Sequence, residues 1–184
     1  MPWIIDTDMT NKHGPNGVWC KRDIPLRSVL KGWVHVTEEL ARKFLTYKDV
    51  PWWYNERTDV SILAGGVWRS GGRALEEFSG TKRKIGKNTG HLLHRAFPGR
   101  VDMYLETHDG HKFYLEAKSC YSGAKNSGKD PRPRLREWLD WACGDVKTFH
   151  PHGCGRLGVV FVKPYIECQS GYPSVEDVKR KISD

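Results

Sequence analysis

Asp102, Glu116 and Lys118 are the residues in this chain whose types and spacing fit hydrolytic chemistry. Thirteen residues separate the aspartate from a Glu-x-Lys triplet. Two carboxylates held side by side repel each other unless a cation lies between them, and hard divalent cations prefer oxygen ligands. Such a cation polarises a phosphate and lowers the pKa of a bound water. The pattern is therefore typical of metal-dependent cleavage of a phosphodiester.

Two short runs carry these residues, and both alternate apolar and polar side chains as β-strands do. Asp102 lies on the polar side of Arg100–Glu106, and Glu116 and Lys118 lie on the polar side of Lys112–Lys118. The apolar sides should face a core. We therefore expect the three chemical groups to share the opposite face of a hairpin.

The turn between the two runs decides whether the acids meet. A two-residue loop, Asp109-Gly110, would set Asp102 opposite Ala117, on the wrong face. A three-residue loop, His108–Gly110, sets Asp102 opposite Glu116, with its glycine in the left-handed conformation. Directly opposed residues lie roughly 5 Å apart at Cβ. We predict the three-residue loop or an equivalent bulge.

The arrangement of Asp102, Glu116 and Lys118 resembles the motif of the PD-(D/E)xK nuclease superfamily, which includes restriction enzymes, resolvases and DNA repair nucleases. The likeness covers roughly residues 58–165, and Val101 stands where the family has a proline. It implies a restriction-endonuclease-like core of the α/β (α+β) class, with a mixed central sheet flanked by helices. It also implies Mg²⁺-dependent hydrolysis of nucleic acid, with Mn²⁺ as a substitute.

Phosphodiester chemistry suggests a role for each residue of the motif. Asp102 and Glu116 would hold the metal, together with the backbone carbonyl of Ala117. Lys118 would orient the attacking water or stabilise the negative charge that develops on phosphorus.

The resemblance further implies an acidic residue on a helix upstream of Asp102. The run Arg73–Phe78 has apolar residues spaced for one face of a helix. On that helix Glu77 would lie at the edge of the apolar stripe, and Glu76 nearly opposite it. Glu77 is thus the candidate for a further catalytic acid and metal ligand. Two solvated helix acids are the alternative.

Periodicity predicts the elements on either side of the hairpin. Helices are expected over Thr37–Leu45, with Thr37 as the N-cap, and over Leu135–Ala142. A buried strand is expected over Leu157–Val162, and an additional strand near His91–Phe97 is compatible with the pattern.

The length of 184 residues and the composition of 38% apolar and 28% charged residues indicate one compact globular domain. Residues 58–184 would form the nuclease-like core, with residues 1–57 as a Trp-rich N-terminal extension packed on it. In this extension Trp52, Trp53 and Tyr54 form an aromatic cluster. We expect the cluster to pack in the core. Stacking on unpaired bases is the alternative.

The net charge of +8 favours an anionic partner. Residues 69–100 hold eight Lys/Arg and two acids, and residues 117–136 hold six Lys/Arg and one acid, so both flanks of the motif are basic. Thr81–Gly90 and Tyr121–Pro131 within these stretches are expected to be loops. Lysine and arginine contacts to phosphates supply most non-specific DNA affinity. The candidate nucleic-acid-binding residues are Lys82, Arg83, Lys84, Lys125, Lys129, Arg132, Arg134 and Arg136.

Five cysteines without a close pair argue against a disulfide scaffold. The start of the chain does not resemble a signal peptide, and no apolar stretch reaches the 18 residues of a candidate membrane span. We therefore expect a reducing intracellular location, cytoplasmic or nucleoid-associated. Cys143, His150, His152 and Cys154 could hold zinc, but their spacing matches no common zinc finger, and free thiols are the favoured interpretation.

The sequence thus predicts a Mg²⁺-dependent endonuclease acting on double-stranded or branched DNA. It would be of the restriction, resolvase or phage and mobile-element kind, and as a small stand-alone family member a homodimer. A nucleic-acid-binding module without catalysis, or a subunit that needs a partner, is the alternative from another class. RNA cleavage is a further alternative.

Overall fold

The computed structural model describes residues 25–44, 53–85, 92–123, 132–149 and 153–165. In chain order, these ranges contain α1 (Arg27–Phe44), α2 (Glu56–Arg69), β1 (Arg73–Ile85), β2 (Leu92–Glu106), β3 (Lys112–Gly123), α3 (Arg132–Lys147) and β4 (Gly155–Tyr165). None of the helices in these ranges has the length and apolar character needed to cross a membrane.

The four strands form one mixed sheet in the order β1-β2-β3-β4. β1, β2 and β3 pair antiparallel, whereas β4 pairs parallel to β3 after the crossover through α3. Helices α1 and α2 cover one face of the sheet, and α3 covers the other. The expected class, a mixed sheet flanked by helices, is confirmed at this level.

Helix α2 begins with an N-cap at Asn55, whose side chain accepts a hydrogen bond of 2.9 Å from the amide of Thr58. Its buried residues recur at helical spacing and join the main core with side chains from β2, β3 and β4. These core residues of α2 are Val60, Leu63, Ala64 and Val67. The packing fixes the first turn of α2 beside the middle of β3.

Two glycines set the distance between α1 and α2. A Cβ on Gly32 would clash with the carbonyl oxygen of Gly66, and a Cβ on Gly66 would clash with the main chain at Trp33. The helices therefore cross in backbone contact, which only glycine allows at both positions. Any larger residue at either position would force α1 and α2 apart.

The predicted helix over Arg73–Phe78 is wrong, because these residues begin β1. They pair with β2 in a regular ladder from Arg73–Glu106 to Glu76–Met103. A six-residue segment gains little as an isolated helix, so pairing with a neighbouring strand decides its conformation. The additional strand considered near His91–Phe97 is the first part of the long strand β2.

Two boundaries also differ from the sequence-based expectation. Thr37 lies inside α1, where its hydroxyl donates to the carbonyl of Trp33 at 2.8 Å, so it is not an N-cap. The two expected loops begin inside the sheet, because β1 continues to Ile85 and β3 to Gly123. Pairing with neighbouring strands extends both elements, and the remainder of each expected loop lies outside the described residues.

The predicted helix over Leu135–Ala142 and the predicted strand over Leu157–Val162 are confirmed as elements. They form the central parts of α3 and β4, which extend a few residues further in both directions. The expected burial of the strand is wrong, because Phe161 alone among its residues is buried and Val162 is 44% exposed. Ala142 and Val146 are buried, as the amphipathic pattern requires.

Candidate active site

The hairpin between β2 and β3 has the three-residue loop that the sequence predicts. The amide of Thr107 donates to the carbonyl of His111 at 2.8 Å, and Gly110 has a φ of 85°. The paired residues run from Glu106–Lys112 to Met103–Leu115. The ladder ends there, and the next position of the same register would set Asp102 opposite Glu116, as the sequence predicts.

The two faces of the hairpin differ as alternation requires. The core face contributes Met103, Leu105, Leu115 and Ala117 to the main hydrophobic cluster. On the other face Tyr104 and Tyr114 pack edge-on against each other, and Phe78 and Phe149 extend this aromatic group. Val101 is buried but lies outside the main cluster.

Glu116 is buried because α3 approaches the sheet closely at this point. Its neighbour on β4 is Gly158, where a Cβ would clash with the main chain at Cys143. The aromatic group and α3 thus enclose the face that carries the acids. Only 4% of Glu116 is exposed.

Asp102 bridges the two strands at the end of their regular pairing. Its Oδ2 accepts a hydrogen bond of 2.7 Å from the amide of Ala117, the residue after Glu116. This contact holds the carboxylate of Asp102 beside β3 at the position where the second acid projects.

The carboxylate of Glu116 is buried without full hydrogen bonding. Its Oε1 makes no hydrogen bond within the described residues, although the ammonium of Lys82 lies 3.2 Å away. This contact is an ion pair in which the ammonium of Lys82 partly neutralises the buried carboxylate. Burial and the charge of Asp102 raise the pKa of Glu116 to about 7, and Lys82 opposes this increase.

Lys118 is paired with an acid that the sequence analysis missed. Its Nζ lies 2.8 Å from Oδ2 of Asp145 on α3. Burial lowers the pKa of Lys118, but the hydrogen bond and charge of Asp145, with the charges of Glu56 and Asp102, raise it overall. Lys118 is therefore an ammonium at neutral pH and cannot act as the general base.

Glu56 is a second acid that the sequence analysis missed. It is the first residue of α2, and its Oε2 accepts a hydrogen bond of 3.1 Å from the amide of Ser119. Burial raises the pKa of Glu56; the charge of Lys118 lowers it and that of Asp102 raises it. Glu56 is thus electrostatically coupled to the motif from a helix upstream of Asp102.

Glu77, the acid predicted to lie on that helix, lies instead in β1. Its Oε1 pairs with Nε of Arg57 at 2.7 Å, and its Oε2 pairs with Nη1 of Arg100 at 2.5 Å. Both carboxylate oxygens are therefore engaged by arginines. The prediction of Glu77 as a metal ligand depended on its lying on a helix, and that prediction is wrong. Glu56 does lie on a helix upstream of Asp102.

The predicted phosphate-binding residues are distributed over the molecule. Lys82 lies inside the site, and the amide of Arg83 donates to the carbonyl of Thr148 at 2.8 Å. The exposed residues of this set on α3 are Arg132, Arg134 and Arg136. Lys125, Lys129 and the side chain of Lys84 lie outside the described residues.

The expectation of core packing is wrong for Trp53 and Tyr54, which are 56% and 63% exposed. They immediately precede the N-cap of α2, and Trp52 lies outside the described residues. Cys120, Cys143 and Cys154 are free thiols. His150 and His152 of the zinc alternative lie outside the described ranges.

The oxygen donors of the site fit a hard divalent cation. Within the described ranges, no group of three or more His, Cys, Asp and Glu side chains is arranged as a metal site. However, the charge of Asp102 raises the pKa of the buried Glu116 carboxyl, so the two acids lie close together, and Oε1 of Glu116 has no hydrogen bond within the described residues. Mg²⁺ is commonly held by one or two carboxylates and keeps several waters. A cation here would satisfy that oxygen and remove the repulsion.

Comparison with known proteins identifies no relative: no protein-family model matches the chain, and no curated protein or solved structure matches it. The geometry of the site is therefore the basis for assigning a function.

Proposed function

We propose that this protein is a Mg²⁺-dependent endonuclease that hydrolyses phosphodiester bonds of DNA. The observation that carries the proposal is the convergence of Asp102 and Glu116 on one enclosed point of the sheet. There, the buried Oε1 of Glu116 lacks a hydrogen bond among the described residues. Burial and the charge of Asp102 disfavour the ionised form of Glu116, and a bound cation would favour it again.

The order of elements also supports the proposal. From α2 onward, the chain runs helix, three strands, helix and strand, in a mixed sheet flanked by helices. The PD-(D/E)xK resemblance implies a core of this kind. It also implies an acid on a helix upstream of Asp102, and Glu56 on α2 has that position.

Asp102 and Glu116 would hold the metal, with the backbone carbonyl of Ala117 and water as further ligands. When bound, Mg²⁺ supplies charge that polarises the phosphate and acidifies a water. Lys118, an ammonium held by Asp145, donates hydrogen bonds to the attacking water or to a phosphate oxygen. Glu56 lies beside Lys118 with a raised pKa, which suits a carboxylate that accepts the proton of that water.

The reaction forms a bond between the water oxygen and phosphorus and breaks the bond from phosphorus to the 3′ oxygen. The products are a 3′-hydroxyl and a 5′-phosphate, as the resemblance implies. A homodimer would place two such sites on a duplex and convert supercoiled plasmid to linear form. A monomer would produce nicked circles first.

The proposal is tested by incubating supercoiled plasmid with the protein in Mg²⁺, in Mn²⁺ and in chelator. We expect cutting in either metal, none in chelator and none with Asp102→Ala. Asp140→Ala, which removes an exposed acid from α3, is the matched control and should cut like the wild type. Matched DNA and RNA substrates distinguish the two nucleic acids. Absence of cutting in every metal and on every substrate would reject the nuclease.

A second candidate, a nucleic-acid-binding module without catalysis, is favoured by one contact. The ammonium of Lys82 already lies 3.2 Å from Glu116 and partly neutralises it without a metal. In that case binding would be independent of divalent cations, and no buffer would support nicking. Binding measured in Mg²⁺ and in chelator, beside the plasmid assay, separates the two candidates.

A further inference from the structure

Arg57, Glu77 and Arg100 form an ion-pair cluster beside the proposed site. The two arginines come from α2 and β2, and the acid between them comes from β1. Each oxygen of the Glu77 carboxylate takes one guanidinium, at 2.7 Å and 2.5 Å. The arginine side chains are 66% and 64% exposed, so most of their N–H donors face solvent.

The backbone at Glu77 is strained. Its φ of 50° is the only positive φ of a non-glycine residue in the described part of the chain. The residues on either side pair with β2 in register, but Glu77 does not pair with Asp102. Exposed ion pairs contribute little stability, so they do not account for this conformation. Strained residues in well-determined surroundings are typical of binding sites.

The cluster adjoins the proposed site in all three elements. Arg57 directly follows Glu56, Arg100 precedes Asp102 by two residues, and Glu77 lies at the level of Asp102 in the sheet. The two arginines and one glutamate leave a net positive charge next to acids that would otherwise repel a phosphate. One guanidinium group can donate two parallel hydrogen bonds to the oxygens of a phosphate, which suits binding to the backbone of a nucleic acid.

We propose that Arg57 and Arg100, positioned by Glu77, bind a backbone phosphate of the nucleic acid adjacent to the phosphate that is hydrolysed. The identity of the ligand as nucleic acid rests on the proposed function. The arginines hold the strand across the end of α2, and Glu77 fixes both guanidinium planes before the strand arrives, so less entropy is lost on binding.

Arg73 and Glu106, at the far end of the β1–β2 ladder, provide a matched control. They are also an exposed Arg–Glu pair, at 3.7 Å, but Arg73 has ordinary strand backbone and pairs directly with Glu106. Four residues of strand, roughly 13 Å, separate this pair from the level of Asp102. Arg73→Ala should therefore leave nucleic-acid binding unchanged.

The test is the affinity for a fluorescent DNA duplex, measured by anisotropy in Ca²⁺ over a series of KCl concentrations. We expect the Arg57→Ala/Arg100→Ala double variant to bind at least about tenfold more weakly, and its slope of log Kd against log salt to fall by about one, because the two arginines share one phosphate. An Arg57→Lys/Arg100→Lys variant should keep the slope. Thermal unfolding verifies that all variants are folded.

The outcomes separate this inference from the proposed function. If the wild type cuts DNA and the double alanine variant has the slope of Arg73→Ala, the phosphate site is rejected and the nuclease stands. If the wild type never cuts but the slope falls as expected, the phosphate site stands and the nuclease is rejected. If the wild type neither binds nor cuts, both are rejected.

The positioning role of Glu77 has a separate readout. Asparagine adopts the left-handed conformation readily but is too short to reach both arginines. Glu77→Asn should therefore keep the salt slope, because both cations remain, while kcat/KM for cutting falls severalfold. Thermal stability should be unchanged. Equal kcat/KM for Glu77→Asn and the wild type would show that Glu77 does not position the arginines.

Discussion

Two lysine–carboxylate pairs lie on opposite faces of the same sheet and differ in how well they are satisfied. Lys163 and Asp59, on the side of α2, lie 2.8 Å apart and are almost completely buried. Asp59 also accepts a hydrogen bond from the hydroxyl of Ser119. Lys82 and Glu116, on the side of α3, lie 3.2 Å apart, and Oε1 of Glu116 has no hydrogen bond within the described residues.

The difference indicates two uses of the same chemistry. The satisfied pair joins α2 to β4 and, through Ser119, to β3. Because Ser119 directly follows Lys118, the pair fixes the framework around the site. In the unsatisfied pair, the buried Oε1 of Glu116 can still accept a hydrogen bond or bind a cation. The pKa of the Glu116 carboxyl is also raised. Groups of the second kind concentrate at functional sites. We therefore expect substitutions in the first pair to affect folding, and those in the second to affect metal binding and catalysis.

The largest expected effect is that of Glu116→Gln on cutting. The variant loses a metal ligand, and the metal contributes several kcal/mol to the transition state, so kcat/KM should fall about 10³-fold or more. DNA binding should be retained or strengthened, because a carboxylate that repels phosphate is removed. Plasmid cutting and anisotropy measure the two effects.

The contrast with Asp140→Ala, an exposed acid on α3, controls for the loss of one negative charge. Both variants should remain folded by circular dichroism. If Glu116→Gln is folded but loses DNA binding together with cutting, the role assigned to Glu116 is wrong.

The next largest effect is expected from breaking the satisfied pair. Lys163→Met leaves the carboxylate of Asp59 buried without its cation, which should lower the free energy of unfolding by about 3–5 kcal/mol. The double variant Asp59→Leu/Lys163→Met removes both charges and should recover most of this loss. Urea unfolding of the wild type, Lys163→Met, Asp59→Leu and the double variant gives the coupling between the two residues.

Lys82→Met is the corresponding variant in the unsatisfied pair. Here Glu116 can take up a proton near neutral pH, because its pKa is already about 7. The loss of stability should therefore be clearly smaller than for Lys163→Met. Equal losses for the two variants would remove the distinction between a structural pair and a functional pair.

The hairpin could be predicted from the sequence because its determinants are local. Alternation gives the faces, and the left-handed glycine at Gly110 gives the loop length. Both constraints agree on one register, so the positions of Asp102 and Glu116 follow. Burial of Glu116 could not be predicted, because it depends on α3 approaching the sheet over Gly158.

The upstream elements could not be predicted in the same way. Arg73–Phe78 contains good helix formers, but its conformation is set by pairing with β2, a non-local contact. Helix α2 contains Gly65 and Gly66, which lower helix propensity, and its stability depends on crossing α1 at Gly32. The sequence therefore predicts the upstream acid at Glu77 instead of Glu56.

Some signal for the two missed acids was present. Asn55 is a good N-cap, and the apolar residues from Val60 onward recur at helical spacing, which together predict a helix beginning at Glu56. Asp145 directly precedes Val146 and lies three residues after Ala142, next to the apolar stripe of α3. Glu56 and Asp145 both approach Lys118 because α2 and α3 pack on opposite faces of the sheet. The periodicity of the sequence does not specify this packing.

Lys118→Ala should slow turnover by about 10²-fold with little change in DNA affinity. Asp145 holds Lys118 as an ammonium. We expect this ammonium to stabilise the negative charge that develops in the transition state and to contribute little to the binding of the DNA strand. Single-turnover kinetics and anisotropy separate the two quantities. Equal losses of turnover and affinity would make Lys118 a phosphate clamp instead.

The smallest effect concerns protons at the unsatisfied pair. Because the metal binds the ionised carboxylate, metal binding below the Glu116 pKa of about 7 must displace a proton. We expect calorimetry with Mn²⁺ in buffers of different ionisation enthalpy to show about one proton released at pH 6 and few at pH 8. The apparent affinity should fall about tenfold for each pH unit below 7.

The same group sets a pH dependence of stability in the absence of metal. The folded state raises the pKa of Glu116 from 4.5 to about 7, so its contribution to stability is complete below pH 4.5 and is lost as the pH rises through 7. Glu116→Gln cannot ionise, and its stability relative to the wild type should therefore increase over that window. Asp140→Ala, which removes an exposed acid of α3, provides the control, because it should not change proton release on metal binding. If the wild type releases no proton at pH 6, Glu116 is already ionised there, and the two pairs do not differ in the way their hydrogen bonding indicates.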